Sequence, residues 1–214
     1  MSVSIQKFTF NGFQENTYIV HDGENCVIID PGCYEVHEQE RLVSFIEENK
    51  LVVKALLLTH AHIDHVLGCH FVLNKYNVDF YMHEADLNTL HSVSNYAHVY
   101  GFPGYTQPSD PTHLLKGEEK LVFGKIEFEV KFTPGHAPGH VVFYIEESSS
   151  VINGDVLFAG SFGRVDLPGG DINILKSSIF DIMFELPDDT KVYCGHGADT
   201  TIGAEKRLNY ILQF

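Results

Sequence analysis

Basic residues are scarce in this chain, and several other features are missing from it. The 214 residues include 14 Lys and Arg against 29 Asp and Glu, which gives a formal net charge of −15 at pH 7. Because a nucleic-acid-binding surface needs clustered positive charge, this balance argues against a nucleic-acid partner. The sequence also has no apolar run long enough to span a bilayer and no N-terminal signal-peptide pattern. We therefore expect a cytoplasmic protein with no membrane partner.

Cysteine is sparse and its spacing excludes a disulfide scaffold. Cys26, Cys33, Cys69 and Cys194 form no Cys-x-x-Cys pair, which is typical of the reduced thiols of the cytosol. Cys194 lies two residues before a candidate metal ligand, but a cysteine in this position is more often a small apolar residue near a strand end than a metal contact.

Apolar runs separated by turn residues predict alternating strands and helices in one domain covering residues 1–214. The predicted strands are 3–10, 17–20, 26–29, 51–59, 78–82, 121–123, 126–132, 141–145, 151–153 and 191–194. The predicted helices are 35–49, with Val36, Leu42, Val43, Phe45 and Ile46 on its buried side, then 65–76, about 84–90, a helix capped by Asp171, and 200–212. A strand-rich run followed by helices occurs twice, which indicates two sheets between outer helices.

One long segment shows no regular pattern. Residues 92–111 carry Tyr96, His98, Tyr100, Phe102 and Tyr105 among glycine and proline. Long irregular segments are often lids or binding loops. The alternative is a surface loop that packs its own aromatic side chains, and the pattern favours neither.

Four potential metal ligands stand within six residues, directly after a predicted buried strand. They are His60, His62, Asp64 and His65. Neutral imidazole and carboxylate suit zinc and iron. Two histidines spaced by two residues point the same way from an extended chain, whereas Asp64 and His65 fall on the turn that begins the next helix. One segment could therefore serve two neighbouring metal ions.

Three more predicted strand ends carry ligand-type residues beside glycine. They are His136, which shares its turn with His140, then Asp155 and finally His196. Glycine lets the backbone approach a crowded site closely. Together with the first cluster, these residues place candidate ligands at the ends of four strands.

This ordered set of residues resembles the metallo-β-lactamase superfamily over essentially the whole chain. The motifs that are more similar to its glyoxalase II-like hydrolases than to its lactamases are Asn16-Thr17-Tyr18, Asp30-Pro31-Gly32, Thr133-Pro134-Gly135-His136, Gly154-Asp155, the 163–170 segment, and Gly195-His196-Gly197 with Thr200-Thr201-Ile202-Gly203 and Glu205. The resemblance implies an α/β fold, a four-layer αββα sandwich with the metal site at one edge.

The resemblance also implies a role for each candidate ligand. Two divalent metal ions are expected, with zinc as the first choice and iron or manganese as alternatives. One ion would be held by His60, His62 and His136, and the other by Asp64, His65 and His196, with Asp155 bridging the two. His140 is the best candidate for a residue that supports the ligands.

The implied chemistry is the hydrolysis of a small-molecule thioester. The charge of two divalent ions would outweigh that of Asp64, Asp155 and a bridging hydroxide, so the site would activate water and stabilise the oxyanion formed on attack at a carbonyl. A thiolate leaves without a strong acid, because the pKa of a thiol is about 8.5. We predict a thioesterase that acts on a glyoxalase II-type hydroxyacyl-thiol, with Asp64 and Asp155 as catalytic carboxylates.

The chain departs from the longer glyoxalase II enzymes after His196. Those enzymes add a helical C-terminal domain with basic residues that bind the carboxylates of glutathione, and we expect this domain to be missing because residues 197–214 alone follow His196. Arg164 could instead contact an anionic part of the substrate, since a planar guanidinium suits a carboxylate. The alternative is a structural salt bridge to Asp166 or Asp171.

Two other functions compete with thioester hydrolysis. One is a persulfide dioxygenase of the same superfamily, with one iron held by His60, His136 and Asp155. The other is a non-catalytic binding module stabilised by metal. Metal analysis distinguishes the first, because a dioxygenase contains one iron and consumes oxygen whereas a dinuclear hydrolase contains two metal ions and does not.

Overall fold

A computed structural model gives the positions of residues 3–214. Their strands form two six-stranded sheets and one short hairpin, and the helices pack on the outer faces of the sheets. This arrangement confirms the predicted α/β four-layer sandwich. No helix in this part of the chain has the length and apolarity needed to cross a membrane.

The first sheet takes its strands in chain order and pairs them in two ways. It contains β1 (Ser4–Phe10), β2 (Glu15–His21), β3 (Asn25–Ile29), β4 (Val52–Leu57), β5 (Asp79–His83) and β6 (His113–Leu115). The first three strands are antiparallel neighbours, whereas β3 to β6 run parallel. The carboxyl ends of the parallel strands meet at one edge of the sheet, so β4 delivers the segment that starts with His60 to this edge.

The second sheet brings two more ligand-bearing strand ends together. It contains β7 (Lys120–Phe123), β8 (Ile126–Phe132), β9 (Val141–Ile145), β10 (Ser150–Gly154), β13 (Lys191–Cys194) and β14 (Thr200–Thr201). The chain segment that connects β10 to β13 contains a separate short hairpin of β11 (Leu157–Phe158) and β12 (Ser161–Phe162). Because β10 and β13 are parallel neighbours, Asp155 and His196 emerge at the same end of the sheet.

The helices lie between the strands in sequence. They are α1 (Val36–Glu48), α2 (Ile63–Val66), α3 (Cys69–Tyr76), α4 (Leu87–Tyr96), α5 (Ile172–Ser178) and α6 (Ile202–Leu208). A π-helical turn at Ile179–Met183 continues α5. As predicted, Asp171 caps α5, since its carboxylate accepts hydrogen bonds from the N–H groups of Asn173 and Ile174.

Three buried apolar layers hold the four layers of backbone together. Alternate residues of a strand point to opposite faces of its sheet, and Ile28 and Leu56 accordingly face the helices while Ile29 and Leu57 face the second sheet. The layer between the sheets also contains Phe128, Val130, Phe143 and Ile152. The outer face of the second sheet packs on α5 and α6 through Val142, Val151, Leu175, Ile179 and Ile202.

The predicted buried side of α1 was wrong at its first residue. Val36 is 67% exposed, because the buried stripe runs through Glu38, Leu42 and Ile46. Val36 lies about 200° around the helix from Glu38 at roughly 100° per residue. Glu38 is buried because its carboxylate accepts the N–H groups of Tyr34 and Glu35 in the preceding loop and that of Asn11 in the β1–β2 turn.

The helix predicted over 65–76 is two helices, α2 and α3. The break falls at Gly68, whose N–H donates to the carbonyl of Pro31 at 2.7 Å. A Cβ at this position would lie 2.5 Å from the Sγ atom of Cys33, so only glycine allows this close approach. The Asp-Pro-Gly turn therefore packs directly against the start of α3.

The irregular segment predicted at 92–111 is shorter than expected. Residues as far as Tyr96 belong to α4, which follows a 3-10 turn at Glu84–Asp86, and a second 3-10 turn covers Ala97–Tyr100. Buried Leu90, Val93 and Ala97 form a helical stripe that holds this region on the first sheet. The chain then lacks regular structure from Gly101 to β6.

The last predicted helix was too long at both ends. Thr200 and Thr201 form β14, and α6 ends at Leu208. Asn209 is extended and its side-chain amide donates to the carbonyls of Phe158 and Ser161 in the β11–β12 hairpin. These bonds turn the chain out of the helix before the 3-10 turn at Tyr210–Gln213.

Candidate metal centre

All seven predicted ligands lie together at one edge of the sandwich. They come from the segment after β4, the β8–β9 turn, the end of β10 and the end of β13, and they are His60, His62, Asp64, His65, His136, Asp155 and His196. Asp64 and His65 lie on α2, as the spacing predicted. The structure thus brings the set together, and the role of each residue as a ligand stays a prediction.

Three of the histidines form a compact group. One ring nitrogen of each of His60, His62 and His136 lies within 4.8 Å of the others. The Nε2 atom of His136 is 2.9 Å from Nδ1 of His62 and 3.3 Å from Nε2 of His60. Bonds of about 2.1 Å to a tetrahedral zinc ion place ligand nitrogens about 3.4 Å apart, so this spacing fits a metal ion.

A second group lies beside the first and shares a carboxylate with it. Asp64, His65 and His196 again bring one ligand atom each within 4.8 Å. The Oδ2 atom of Asp155 is 3.5 Å from Nε2 of both His136 and His196, and its Oδ1 atom is 3.6 Å from Nε2 of His65. Asp155 is therefore the residue that could contact ions in both groups.

Hydrogen bonds behind the rings fix which nitrogen faces the centre. Each of three Nδ1 atoms contacts an oxygen that can only accept: Arg164 O for His136 at 2.7 Å, Asp30 Oδ2 for His65 at 3.1 Å and Phe13 O for His196 at 3.2 Å. In the neutral form of each ring the proton is thus held on Nδ1, and the lone pair of Nε2 points to the centre. This is the arrangement of metal-binding histidines.

Two buried polar atoms at the centre have no hydrogen-bond partner among the described residues. They are Nε2 of His65 and Oδ1 of Asp155. An unsatisfied buried polar atom costs about 1–3 kcal/mol, and metal ligation removes that cost. Gly195 lets the two approach, because a Cβ there would lie 2.1 Å from Asp155 Oδ1 and 3.0 Å from Cε1 of His65. The donor set and its unpaired atoms fit divalent metal ions.

The electrostatics favour neutral rings in the first group and ionised carboxylates between the groups. Burial, followed by the nearby His136, lowers the pKa of His62 to about 3, and burial lowers that of His60 well below its usual value. Burial alone would raise the pKa of Asp155, but His65 and the other rings lower it well below its usual range. Metal binding needs these protonation states.

Two carboxylates that the sequence analysis did not assign hold the ligand loops. Asp30 accepts from the N–H and hydroxyl groups of Thr59 and from His65. Asp86 is completely buried, and its two oxygens accept the N–H groups of Ala61 at 2.8 Å and Gly139 at 2.7 Å. Asp86 therefore ties the His60–His65 segment to the turn that carries His136, although its local sequence indicates only the start of a helix.

Two residues that the sequence singled out also support the ligands. His140, the expected supporting residue, accepts the N–H of Asp155 at 3.1 Å, and its ring stacks on that of His60 with centroids 4.8 Å apart. Asn16 holds the His196 turn through its N–H to Gly195 O at 2.7 Å and its amide to two further carbonyls.

Arg164 lies at the rim and its guanidinium is already paired. Its Nε and Nη2 atoms each contact an oxygen of Asp166 at 2.7 Å, and the pair is exposed. Asp171, the other possible partner, caps α5 instead. This geometry matches the structural alternative, and substrate binding by Arg164 stays a prediction.

Comparison with known proteins identifies the family. A family model described as the metallo-beta-lactamase superfamily matches residues 10–196. The chain belongs to the metallo-β-lactamase superfamily. The site therefore lies in a metal-dependent hydrolase of this superfamily, and its His and Asp clusters support divalent metal binding.

Two curated relatives match nearly the full length of the chain. A probable metallo-hydrolase YqgX of Bacillus subtilis is 37% identical over 93% of this chain and 92% of the relative. Hydroxyacylglutathione hydrolase GloC of Haemophilus influenzae is 38% identical over 98% of both chains.

Solved structures agree with the fold. The metallo-beta-lactamase BLEG-1 of class B3 has a TM-score of 0.89 and 34% identity, covering 99% of this chain and 100% of its own. TTHA1623, solved in a di-iron-bound form, has a TM-score of 0.86 and 38% identity over 96% of this chain and 98% of its own. ETHE1 from Myxococcus xanthus, with a TM-score of 0.79 and 22% identity over 97% of this chain and 83% of its own, shows the fold alone.

Proposed function

We propose that the protein is a dinuclear metal-dependent thioesterase of the glyoxalase II type, acting on hydroxyacyl-thiol substrates. The observation that carries the proposal is the pair of adjacent ligand groups joined by Asp155. The full-length similarity to a hydroxyacylglutathione hydrolase supports the choice of thioester.

The proposed ligand assignment uses each group for one ion. His60, His62 and His136 hold the first, and the second is held by Asp64, His65 and His196. Asp155 contacts both. Zinc is the proposed metal, because imidazole and carboxylate at this spacing suit it, and iron or manganese suits the same donors.

In the proposed reaction the chain's own residues orient the attacking water and accept its proton. Bound divalent ions supply Lewis-acid chemistry, which lowers the pKa of water and polarises a carbonyl. Asp64 Oδ2 lies 3.0 Å from Nε2 of His196 and 3.7 Å from that of His65, where it can orient an attacking water and hold its proton. The water oxygen bonds to the carbonyl carbon, the carbon–sulfur bond breaks, and the thiolate leaves with the electron pair.

The experiment combines metal analysis with a thioester panel. The purified protein is stripped with a chelator, reloaded separately with zinc, iron or manganese, and assayed for thiol release from lactoylglutathione and from neutral thioesters. We expect about two metal ions per chain and activity that depends on them. His136→Ala should lose the metal ion held with His60 and His62 and, with it, the activity. His91→Ala, whose ring pairs with Asp110 on the surface, should keep its metal content and its activity.

A fully loaded protein that releases no thiol from any substrate of the panel would overturn the proposal. Oxygen consumption with a persulfide, at one iron per chain, would replace it with the dioxygenase function. Metal binding without either reaction would favour the non-catalytic module.

A further inference from the structure

A row of aromatic side chains stands beside the metal centre. The ring of Phe13 lies 6.1 Å from that of Tyr100 and 5.8 Å from that of Phe102. Phe102 in turn meets the edge of Tyr34 at 4.9 Å, and the Tyr34 hydroxyl accepts the N–H of Gly104. These contacts fix the 97–104 segment against the β1–β2 turn. We call Phe13, Tyr100 and Phe102, together with the aliphatic Val99 that precedes Tyr100 in the chain, the aromatic row.

The aromatic row lies beside the ligand group that contains His196. The carbonyl of Phe13 contacts Nδ1 of His196. The rings of Tyr100 and Phe102 pack against Phe13 at this position. A substrate bound at the centre would therefore have this row beside it on the His196 side.

Three members of the row are open to solvent although they are apolar. Phe13 is 39% exposed, Tyr100 55% and Val99 73%, while Phe102 is buried beneath them. Single exposed apolar residues are common on protein surfaces. Several together beside a candidate active site are typical of a ligand-binding surface.

The cations near the ligands are already bound by carboxylates. The guanidinium of Arg164 makes two hydrogen bonds to Asp166. The ammonium of Lys7, which lies beside the His196 turn, contacts Asp199 at 2.8 Å and the carbonyl of Gly197 at 3.3 Å. An anionic substrate arm would have to displace these carboxylates, whereas an apolar arm needs only the exposed rings.

We propose that the aromatic row binds the acyl arm of a second substrate class, namely thioesters whose acyl group is apolar and longer than lactoyl, on an uncharged carrier. The inference rests on the proposed thioester hydrolysis and extends it. Burying each methylene of the acyl arm against the row should raise kcat/KM by about fourfold.

The test uses matched substrates and variants of the metal-loaded enzyme. Acetyl, butyryl and hexanoyl thioesters of N-acetylcysteamine give the dependence of kcat/KM on acyl length, and hexanoyl-glutathione adds charge to the same acyl group. We expect kcat/KM to rise with length, and the glutathione ester to be no better than its neutral counterpart. Tyr100→Ala and Phe13→Ala should flatten the rise, because kcat/KM should fall more for the hexanoyl thioester than for the acetyl thioester.

Tyr210→Ala is the control for loss of an exposed aromatic ring. Tyr210 is 51% exposed and packs on Phe162 and Phe214 in the C-terminal segment, so its loss should leave the length dependence unchanged. Calorimetry with the uncleavable thioether S-hexyl-N-acetylcysteamine tests the row without turnover, and Tyr100→Ala should weaken this binding about tenfold.

The outcomes separate the two proposals. Hydrolysis of lactoylglutathione with no dependence on acyl length, or an equal effect of Tyr210→Ala, would overturn the role of the aromatic row and leave thioester hydrolysis standing. Thioether binding that requires Tyr100, without hydrolysis of any thioester, would support the row as an apolar binding surface and refute the hydrolytic function.

Discussion

Replacing Asp86 with asparagine tests whether one buried carboxylate sets the geometry of the centre. Its two oxygens accept N–H groups from the two loops that carry His60, His62 and His136. Asparagine keeps one acceptor and turns an NH2 group towards the other N–H donor. One hydrogen bond is thereby lost and two donors face each other, so both ligand loops should shift.

The magnitude follows from the contacts that are lost. A hydrogen bond to a charged group contributes about 1.5–3 kcal/mol, so Asp86→Asn should lower the free energy of unfolding by about 2–3 kcal/mol. For a chain of this size that corresponds to a fall in Tm of roughly 4–12 °C. Mutating a residue that holds metal ligands in place typically lowers metal affinity about 10–100-fold, and we expect a loss of this size in the zinc affinity of Asp86→Asn.

The assays are thermal unfolding of the apo protein and competition for zinc with a chromogenic chelator. Asp22→Asn is the matched control, because the carboxylate of Asp22 also accepts three backbone N–H groups. Asp22 follows the end of β2 opposite Glu15, roughly 20 Å from the ligand edge at about 3.4 Å per residue. The control should lose stability and keep its zinc affinity. Equal stability losses with unchanged zinc affinity in both variants would refute the reasoning.

Three further predictions concern single carboxylates and one arginine. Asp155→Ala should release metal from both positions, and elemental analysis that finds one ion retained would show that the two positions are independent. Burial raises the pKa of Asp22, but backbone N–H donors lower it well below its usual value. Its contribution to stability is therefore fully present above about pH 4 and lost progressively as the pH falls towards the lowered folded-state pKa. Denaturant unfolding should accordingly show the difference between Asp22→Asn and the unaltered protein shrinking steadily below about pH 4, and a constant difference would refute this role. Arg164→Ala should change the free energy of unfolding by less than about 1 kcal/mol, since an exposed ion pair contributes little. It should change the KM values of neutral and anionic thioesters alike. A rise in KM confined to anionic thioesters would assign carboxylate binding to Arg164.

Local sequence patterns predicted the parts of the centre that follow from strand ends. The apolar run before His60 and the glycines beside Asp155 and His196 each mark the point where a strand reaches the sheet edge. Their meeting at one edge then follows from the layered fold. The two sheets and most strand positions were predictable for a related reason. Strands that are covered on both faces are continuously buried, as β2, β9 and β10 are, and such strands appear in the sequence as short apolar runs bounded by turn residues.

The support of the ligands depends on contacts that are remote in sequence. Asp30 contacts Thr59 across 29 positions, and Asp86 contacts Gly139 across 53. Locally, Asp30 resembles a turn residue and Asp86 the start of a helix, so no short pattern indicates either role. The same limit applies to Asn209, whose bonds to the β11–β12 hairpin end α6 early.

The division of the ligands between the two sheets has a consequence for assembly. His60, His62, Asp64 and His65 follow a strand of the first sheet, whereas His136, Asp155 and His196 follow strands of the second. A chain cut in the 116–119 connection would give two fragments, each with an incomplete set of donors. Divalent metal should then bind tightly only after the fragments associate, and it should strengthen that association. Two separately synthesised halves of the chain would then associate reversibly, under the control of the metal ions.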